Sequence, residues 1–338
     1  MTSPSRPLLP VLARMALGLG LVGLGGALVW QDISLRPLPG LAALSTPFVV
    51  PLDGKLPLDL ATSATLRFAS DRGNLRLSAL PAGSPDLLSG EARHRAQNPL
   101  SVDVRRLGHE VNFSAWLRVP ALGRDGVVVT GPPPLQHELT ASLSRAAALT
   151  LNTETVGGGQ ILDLSFLRLR SVAARSDSGN LDLTLPALEG GPYAVVTRSG
   201  RVRVQAGAAA RPEAVRVNSR TGDLDLNLAG ASLDVLGAGS DSGRIGVVLP
   251  ALVDRGSVTT ISGDIAVTAR PGTRGNLDIR TQSGTVTLGV PAGLRVRVRF
   301  PDRDTLLLPR GTPDGLAPAL DLFVDAPAEH FVLKENGK

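Results

Sequence analysis

One short motif recurs six times in the second half of this chain, and its spacing restricts the folds that are open to it. Each copy places Ser or Thr before a glycine and then alternates apolar with polar residues, as in "SDSGNLDLTLP", "TRSGRVRV" and "SRTGDLDLNL". Successive glycines are 21, 22, 21, 20 and 21 residues apart, and they are Gly179, Gly200, Gly222, Gly243, Gly263 and Gly284. A constant period of this length is typical of repeat proteins whose units stack into a solenoid.

Apolar residues return at the same positions of every unit. Two and four residues after the glycine lie Leu181/Leu183, Val202/Val204, Leu224/Leu226, Ile245/Val247, Ile265/Val267 and Val286/Leu288. Seven and five residues before it lie Val172/Ala174, Tyr193/Val195, Val215/Val217, Leu236/Ala238, Gly256/Val258 and Leu277/Ile279. Alternation predicts a strand on each side of the glycine, with one face of each strand buried.

The two apolar sets have opposite parity across the glycine, so the chain has to bend there to keep both sets inside. We expect the glycine to supply a positive φ at this bend and the adjacent Ser or Thr to bond nearby backbone. Stacked units then bury ladders of Leu, Val and Ile, with parallel strands about 4.8 Å apart. An antiparallel β-sandwich is the alternative, because short strands with regular turns also suit it.

Outward positions beside the turns mix positive and negative charge. The residues directly after the glycines are Asn180, Arg201, Asp223, Arg244, Asp264 and Thr285. In a parallel stack this pattern predicts Arg next to Asp in successive units, which stabilises the correct register. The segment "LRVRVRFPDRDTLLL" is expected to continue as a degenerate seventh unit, and the tail from Pro318 to cap the open edge.

The amino terminus carries an apolar segment that is long enough to cross a membrane. Met15–Trp30 contains no charged residue, and Arg6 and Arg14 precede it without any acid. Together with the apolar residues before Met15, the segment reaches the roughly 20 residues that a spanning helix needs. The positive flank predicts a single-pass cell-membrane anchor with an exported, extracytoplasmic body. A cleavable signal peptide is the alternative.

Composition supports an all-β chain and argues against several classes of partner. Hydrophobic residues make up 43% of the chain but aromatic residues only 3%, while 38 Gly and 26 Pro indicate many turns between short strands. The absence of cysteine excludes disulfides and thiolate metal sites. The net charge is +5, but acidic residues alternate with the basic ones along the repeats. Nucleic-acid binding needs an unbroken basic stripe, so this pattern argues against it.

The motifs of common active sites are missing or incomplete. "GSDSG" has Asp241 where a nucleophile elbow needs serine, and Gly157–Gly159 lacks the Lys-Ser/Thr of a phosphate loop. Acids that follow the turns face outward in alternation instead of converging as calcium ligands do. The histidines share no metal-ligand spacing and are expected at the surface or in loops; they are His94, His109, His137 and His330. We therefore predict no catalytic, cofactor-binding or metal site, no cofactor and no small-molecule substrate.

The repeats resemble a bacterial cell-envelope β-solenoid family provisionally named as adhesins. The upstream region, from "ATLRFASDRGNLRLSAL" to "LTLNTETVGGGQILDLSFLRLRSV", is similar to the toast-rack domain of membrane proteins related to cell-wall-stress regulators. The resemblance implies an all-β chain with a parallel β-solenoid of about 21-residue coils. We expect the chain to divide into residues 1–31 as cytoplasmic tip and anchor, 32–45 as linker, 46–165 as toast-rack-like domain, and 166–338 as solenoid repeats with a cap.

Both the resemblance and the absent active-site motifs favour a non-enzymatic envelope protein. It would act as an interaction scaffold, an adhesin-like surface or a modulator of envelope-stress sensing, with envelope or membrane proteins as partners. Self-assembly into a structural solenoid and a polysaccharide-acting β-helix enzyme are the alternatives. Outward arginines are candidate contacts, although an ordinary solvated β-surface explains them too; they are Arg198, Arg216, Arg220, Arg280, Arg295, Arg297 and Arg299.

Overall fold

Strands dominate the computed structural model, which describes residues 43–52, 63–118, 137–207, 209–309 and 317–336. The chain divides into one unit of Ser45–His94 with Asn98–Lys338 and another of Met1–Leu44 with Arg95–Gln97. The account below concerns the described residues of the first unit. No α-helix occurs among them, and this described part of the chain is all-β.

Twenty-six strands and one 3₁₀ helix lie in the described part of the chain. They are β1 (Ala43–Pro51), β2 (Ser63–Ala79), β3 (Asp86–Arg95), β4 (Ser101–Leu107), β5 (Glu110–Leu117), β6 (His137–Leu143), β7 (Ala148–Gly157), β8 (Gln160–Asp163), β9 (Arg168–Ser176), β10 (Leu181–Thr184), β11 (Glu189–Gly190), β12 (Tyr193–Thr197), β13 (Val202–Gln205), β14 (Arg211–Pro212), β15 (Ala214–Ser219), β16 (Leu224–Asn227), β17 (Ser232–Ser240), β18 (Ile245–Val248), β19 (Leu252–Thr260), β20 (Ile265–Thr268), β21 (Arg274–Thr281), β22 (Val286–Pro291), β23 (Val296–Arg299), β24 (Leu306–Leu308), β25 (Leu320–Asp325) and β26 (Phe331–Asn336), with the 3₁₀ helix at Ala328–His330.

Each repeat contributes one strand to each of two sheets. The upstream sheet holds the strands that precede the turn glycines, in the order β4-β5-β2-β7-β9-β12-β15-β17-β19-β21-β25-β23-β24. The downstream sheet holds those that follow them, in the order β1-β3-β6-β2-β8-β10-β13-β16-β18-β20-β22-β26. The long strand β2 bends between the sheets and belongs to both. Pairing is parallel from β5 to β23 and from β6 to β26, as the repeat predicts.

The core is a set of ladders between the two sheets. Leu183, Val204, Leu226 and Val247 are consecutive register partners, and each is at most 2% exposed. The other predicted inward side chains are buried as well, so the alternation identified the core correctly. The exception is Gly256, which has no side chain and is half-buried at an irregularity of the β19–β21 register. Aromatic rings pack at both ends of the stack. In the amino-terminal units the ring of Phe113 lies 5.8 Å from that of Phe48 and 5.5 Å from that of Phe68. At the carboxyl-terminal end the rings of Phe300 and Phe331 lie 5.1 Å apart.

A buried hydroxyl closes each bend, but it belongs to a different residue from the one expected. The Ser or Thr three residues before the glycine accepts a hydrogen bond from the glycine N–H at 2.7–3.2 Å; the six are Ser176, Thr197, Ser219, Ser240, Thr260 and Thr281. The Ser or Thr directly before the glycine is exposed instead. At Ser178, Ser199 and Thr221 it donates to a backbone carbonyl of the preceding unit at 3.0–3.2 Å. One hydroxyl thus caps the turn and the other ties neighbouring units together.

The expectation of positive φ at the turn glycines is wrong, since none of the six has it. Glycine is required by close stacking. A Cβ added to any of them would lie 1.7–2.1 Å from the carbonyl oxygen of the glycine one unit earlier, a distance that no real Cβ tolerates. The column continues upstream through Gly158 to Gly73, so the Gly157–Gly159 run provides a corner.

The mixed charges beside the turns pair as expected. Arg201 lies 3.8 Å from Asp223, and Arg203 lies 3.8 Å from Asp182. The acids have a further role, because Oδ1 of Asp223 accepts the backbone N–H of Arg244 at 2.9 Å. Asn180 and Asp264 make the same bond to the unit that follows them.

The carboxyl-terminal order differs from the expected one. Strand β25 of the tail lies between β21 and β23, so "LRVRVRF" does not stack on the sixth unit. The reason is the missing turn glycine, without which this segment folds back as the antiparallel hairpin β23–β24. The tail supplies the next unit instead, with β25 in the upstream sheet and β26 in the downstream sheet. Leu320, Leu322 and Val324 of β25 are fully buried.

Two further expectations bear on the described residues. His94 and His137 are 4% exposed and lie on strands, so their expected surface or loop placement is wrong. The apolar segment Met15–Trp30 lies outside the described residues. Within the described ranges, no helix has the length and hydropathy to cross a membrane.

Candidate functional site

A groove of about 880 Å³ runs along the outer face of the upstream sheet beside the turns. Its floor is one cross-strand row that passes through five units, namely Asn218, Gly239, Thr259, Arg280 and Asp325. Turn residues of the same units form one wall, and residues after β23 and β25 close the carboxyl-terminal end. We call this depression the turn groove.

Gly239 leaves the floor of the turn groove open, because it has no side chain between those of Asn218 and Thr259. A Cβ at this position would lie 2.8 Å from Oδ1 of Asn218 and 3.5 Å from Oγ1 of Thr259. The amide of Asn218 and the hydroxyl of Thr259 are therefore accessible on either side of Gly239. Both groups donate and accept hydrogen bonds, which suits a polar ligand.

Arg280 is held in place by its own strand and by the tail. Asp278 accepts from its Nε at 3.0 Å and from its Nη2 at 2.7 Å, and the guanidinium carbon lies 5.7 Å from the centre of the Phe323 ring. The hydrogen bond and charge of Asp278 raise the pKa of Arg280 further above its usual value, so it is always a cation. A paired fork of this kind loses little conformational freedom when it meets a ligand.

Acidic residues balance Arg280 around the turn groove. Asp241, Asp302 and Asp325 line it, and Asp241 lies 4.0 Å from Arg220 at the rim. Histidine, cysteine, lysine and tyrosine are absent from the described residues that line it. The groove therefore offers hydrogen-bond donors, hydrogen-bond acceptors and charges of both signs.

A family model described as Toastrack DUF4097 matches residues 55–297. The chain belongs to this toast-rack family. The matched range contains the upstream region and all six turn glycines, so the family extends over both parts of the chain that the sequence distinguished. No curated protein sequence matches the toast-rack chain.

Several solved structures are similar to it. A protein from Parabacteroides distasonis ATCC 8503, provisionally named as lipid binding, has 10% identity over 87% of this chain and 97% of its own, with a TM-score of 0.43. One from Bacteroides fragilis NCTC 9343, provisionally named as an adhesin, has 10% identity with the same coverage and a TM-score of 0.40. One from Clostridium sporogenes ATCC 15579, provisionally named as a cell adhesion protein, has 9% identity over 87% and 99%, with a TM-score of 0.26. These likenesses carry no statement about what the toast-rack chain binds.

The structure separates the seven candidate arginines into different surroundings. Arg280 lines the turn groove, and Arg220 reaches its rim through Asp241. Arg216 lies one outward position away on the same sheet, in register with Gly237. Arg198 is exposed in a turn, and Arg295 is exposed before β23.

Arg297 and Arg299 are engaged within the protein. Both bond the carboxylate of Asp321 on the neighbouring strand, Arg299 at 3.1 Å. Burial raises the pKa of Asp321, but the hydrogen bond from Arg297 and the charge of Arg299 outweigh it and hold that pKa below its usual value. These two arginines secure the tail strand against the hairpin.

Sequence reasoning missed the floor of the turn groove. Asn218 and Thr259 are ordinary outward residues, and only the register of the sheet places them on either side of Gly239. The available signal was "LGAGSDSG", in which Gly237 and Gly239 occupy outward strand positions where side chains are usual. Among the described residues, no group of three or more His, Asp or Glu side chains is arranged to hold a metal ion.

Proposed function

We propose that this toast-rack protein is a non-enzymatic binding protein of the bacterial cell envelope, and that the turn groove holds a polar segment of its partner. The observation that carries the proposal is the row from Asn218 to Asp325, in which Gly239 and a pre-oriented Arg280 lie two strands apart. Amide, hydroxyl, carboxylate and guanidinium groups there match the polar groups of a protein segment.

Rigidity supports the binding role. The two sheets wind, in this proposal, as a β-solenoid whose successive units are fixed by parallel ladders, the glycine column and the turn hydroxyls. A row that crosses five units then presents its groups at a constant spacing of about 4.8 Å. Such a surface needs little reordering when it binds a partner, which lowers the entropic cost of binding.

Photo-crosslinking in living cells tests the groove. A photoreactive residue at Thr259 would report partners of the turn groove, and the same residue at Thr287 is the matched control. Both threonines are half-buried outward residues, but Thr287 lies on the downstream sheet. We expect a discrete adduct from position 259 and none from position 287, and an adduct containing a second copy of the chain would identify self-assembly as the interaction. Equal adducts from both positions, or none from either, would contradict the proposal.

The membrane anchor and export are part of the same proposal. Met15–Trp30 would span the membrane, with residues 1–14 inside and the β body outside, as the arginines before the segment favour. The chain contains no cysteine, so a single introduced thiol reports topology without interference. We expect a membrane-impermeant maleimide to label Gly207→Cys, but not Ser3→Cys, on cells whose outer layers have been permeabilised. The reverse pattern would rule out export of the body.

A further inference from the structure

A second groove, of about 830 Å³, lies at the other corner of the units, where the chain returns from the downstream to the upstream sheet. Arg168 and Arg170 come from the start of β9, and Arg211 comes from β14. Glu189 is the acid among the described lining residues, so the lining carries a net charge of about +2. We call it the arginine groove.

The three arginines have no acidic partner, unlike Arg201, Arg203 and Arg220 beside the turns. Within the described chain, no carboxylate approaches Arg168, Arg170 or Arg211 to ion-pair distance. Even Glu189, which is in register with Arg211 on the neighbouring strand, makes no such pair. The side chain of Arg168 has only a long hydrogen bond of 3.4 Å to the carbonyl oxygen of Ala146.

The register gives the distance that a ligand would have to bridge. Gly191 N–H bonds Leu169 C=O at 3.3 Å, and β11 pairs with β14, so one strand separates the two sets of arginines. They are therefore two strand spacings apart, about 9.6 Å along the stack. The separating segment ends in Gly190 and Gly191, which carry no side chain, and Gly191 lies so close to Arg170 that a Cβ would fall 1.7 Å from its carbonyl oxygen.

We propose that the arginine groove binds the phosphate group of an anionic ligand that lies across this glycine segment. Guanidinium forks bind phosphate in bidentate fashion, and the tetrahedral oxygens of a phosphate can accept hydrogen bonds from arginines on either side of the glycine segment. The exposed side chain of Leu188 and the adjacent alanines offer an apolar surface to the rest of the ligand. A free organic phosphate and a lipid headgroup share this chemistry.

Calorimetric titration of the full chain in non-ionic detergent tests the proposal. The probes are glycerol 1-phosphate and a short-chain phosphatidylglycerol. The matching phosphatidylcholine is the zwitterionic reference, in which the choline cation balances the charge of the phosphate. The groove variant is Arg168→Gln/Arg170→Gln/Arg211→Gln. Its matched control is Arg76→Gln/Arg201→Gln/Arg203→Gln, which removes the same charge from exposed arginines that already have acidic partners.

Binding of at least one phosphate probe is expected, weakened about tenfold or more in the groove variant and by less than about twofold in the control. Binding of both probes would indicate a free phosphate ester as the source, and binding of phosphatidylglycerol alone would indicate a lipid headgroup. No binding of either probe, equal losses in both variants, or equally tight binding of phosphatidylcholine would overturn the proposal. Unchanged circular dichroism of both variants would show that the losses do not come from unfolding.

Discussion

The backbone N–H of Gly243 donates to the buried hydroxyl of Ser240 at 2.9 Å, while Ser242, the residue next to that glycine, is exposed. One repeat thus holds a turn-capping serine and a solvent-facing serine two positions apart. Because of the bend, the N–H of Gly243 cannot pair with a neighbouring strand. The hydroxyl of Ser240 accepts its hydrogen bond in place of water. Its loss leaves that donor without a partner.

Ser240→Ala is therefore expected to lower the free energy of unfolding by about 1–2 kcal/mol. Ser242→Ala, the matched control from the same turn, is expected to change it by less than about 0.5 kcal/mol. Chemical denaturation of the two variants measures the difference. Equal effects would mean that the buried hydroxyl is not what closes the bend.

The close stacking of the turn glycines leads to a second prediction. Gly222→Ala would place a Cβ 2.0 Å from the carbonyl oxygen of Gly200, so the two units would have to separate. We expect a loss of about 3 kcal/mol or more, or failure to fold. Gly207→Ala is the control, since an added Cβ meets nothing within 4 Å there. That variant should retain full stability, and a comparable loss from it would show that the effect is general to glycine.

The alternation of apolar residues was enough to predict the ladders, because burial of one face of a strand has a period of two that any sequence shows directly. The cause of the glycine at each bend was not accessible in the same way. A positive φ and a close backbone contact both require glycine, and only the position of Gly200 above Gly222 distinguishes them. The subdivision at residue 165 remains a prediction.

Contacts between distant segments account for the other differences. The sequence predicts a cap around Leu322, because nothing local shows that its strand inserts between β21 and β23. The turn groove could not be predicted for the same reason. Asn218 and Arg280 line one groove only because three successive strand pairings bring them into one row. The Arg–Asp pairs were predictable because their partners lie one repeat apart, a separation that the period itself supplies.

Asp223 is expected to stabilise the protein through its hydrogen bond to the next unit more than through its charge. Its Oδ1 accepts the N–H of Arg244 at 2.9 Å, and Asn180 makes the same bond to Arg201 with a neutral side chain. Asp223→Asn is expected to cost less than about 0.5 kcal/mol, since the exposed pair with Arg201 contributes little. Asp223→Ala should cost about 1 kcal/mol, because the backbone donor loses its partner. Equal losses in the two variants would assign the effect to the ion pair.

Asp321 is predicted to make stability depend on acid pH. Its pKa is lower in the folded than in the unfolded chain, so the folded state binds fewer protons. Its contribution is fully present above the unfolded pKa of about 3.9 and is lost as the pH falls through the lowered folded value. Asp321→Asn should cost about 1–2 kcal/mol near pH 7, and its deficit against the wild type should shrink below about pH 4.

Denaturation at a series of pH values measures this linkage. Asp304→Asn is the control, because Asp304 is exposed and forms no ion pair with the described residues. Its stability should follow that of the wild type at every pH. A deficit of Asp321→Asn that stays constant down to pH 3 would exclude a lowered pKa as its origin.

The buried hydroxyl of Tyr193 is predicted to lower the stability of the core. The ring occupies an inward ladder position and is 1% exposed, and its oxygen has no hydrogen-bond partner among the described residues. Burial raises the pKa of Tyr193, as expected for a phenol that cannot ionise there. Tyr193→Phe should therefore keep or increase stability, by up to about 1 kcal/mol, whereas Tyr193→Ala should lose about 3 kcal/mol or more.

Gly190 explains how the oxygen fits, and it allows the argument to be tested by coupling. A Cβ on Gly190 would lie 1.9 Å from the Tyr193 oxygen but 2.9 Å from the ring carbon that bears it. Gly190→Ala should consequently be more damaging with Tyr193 than with Phe at that position, by about 1 kcal/mol or more. A double-mutant cycle measured by thermal denaturation gives this coupling. Additive effects would mean that the hydroxyl and Gly190 do not meet, and the ladder position of the ring would then need another explanation.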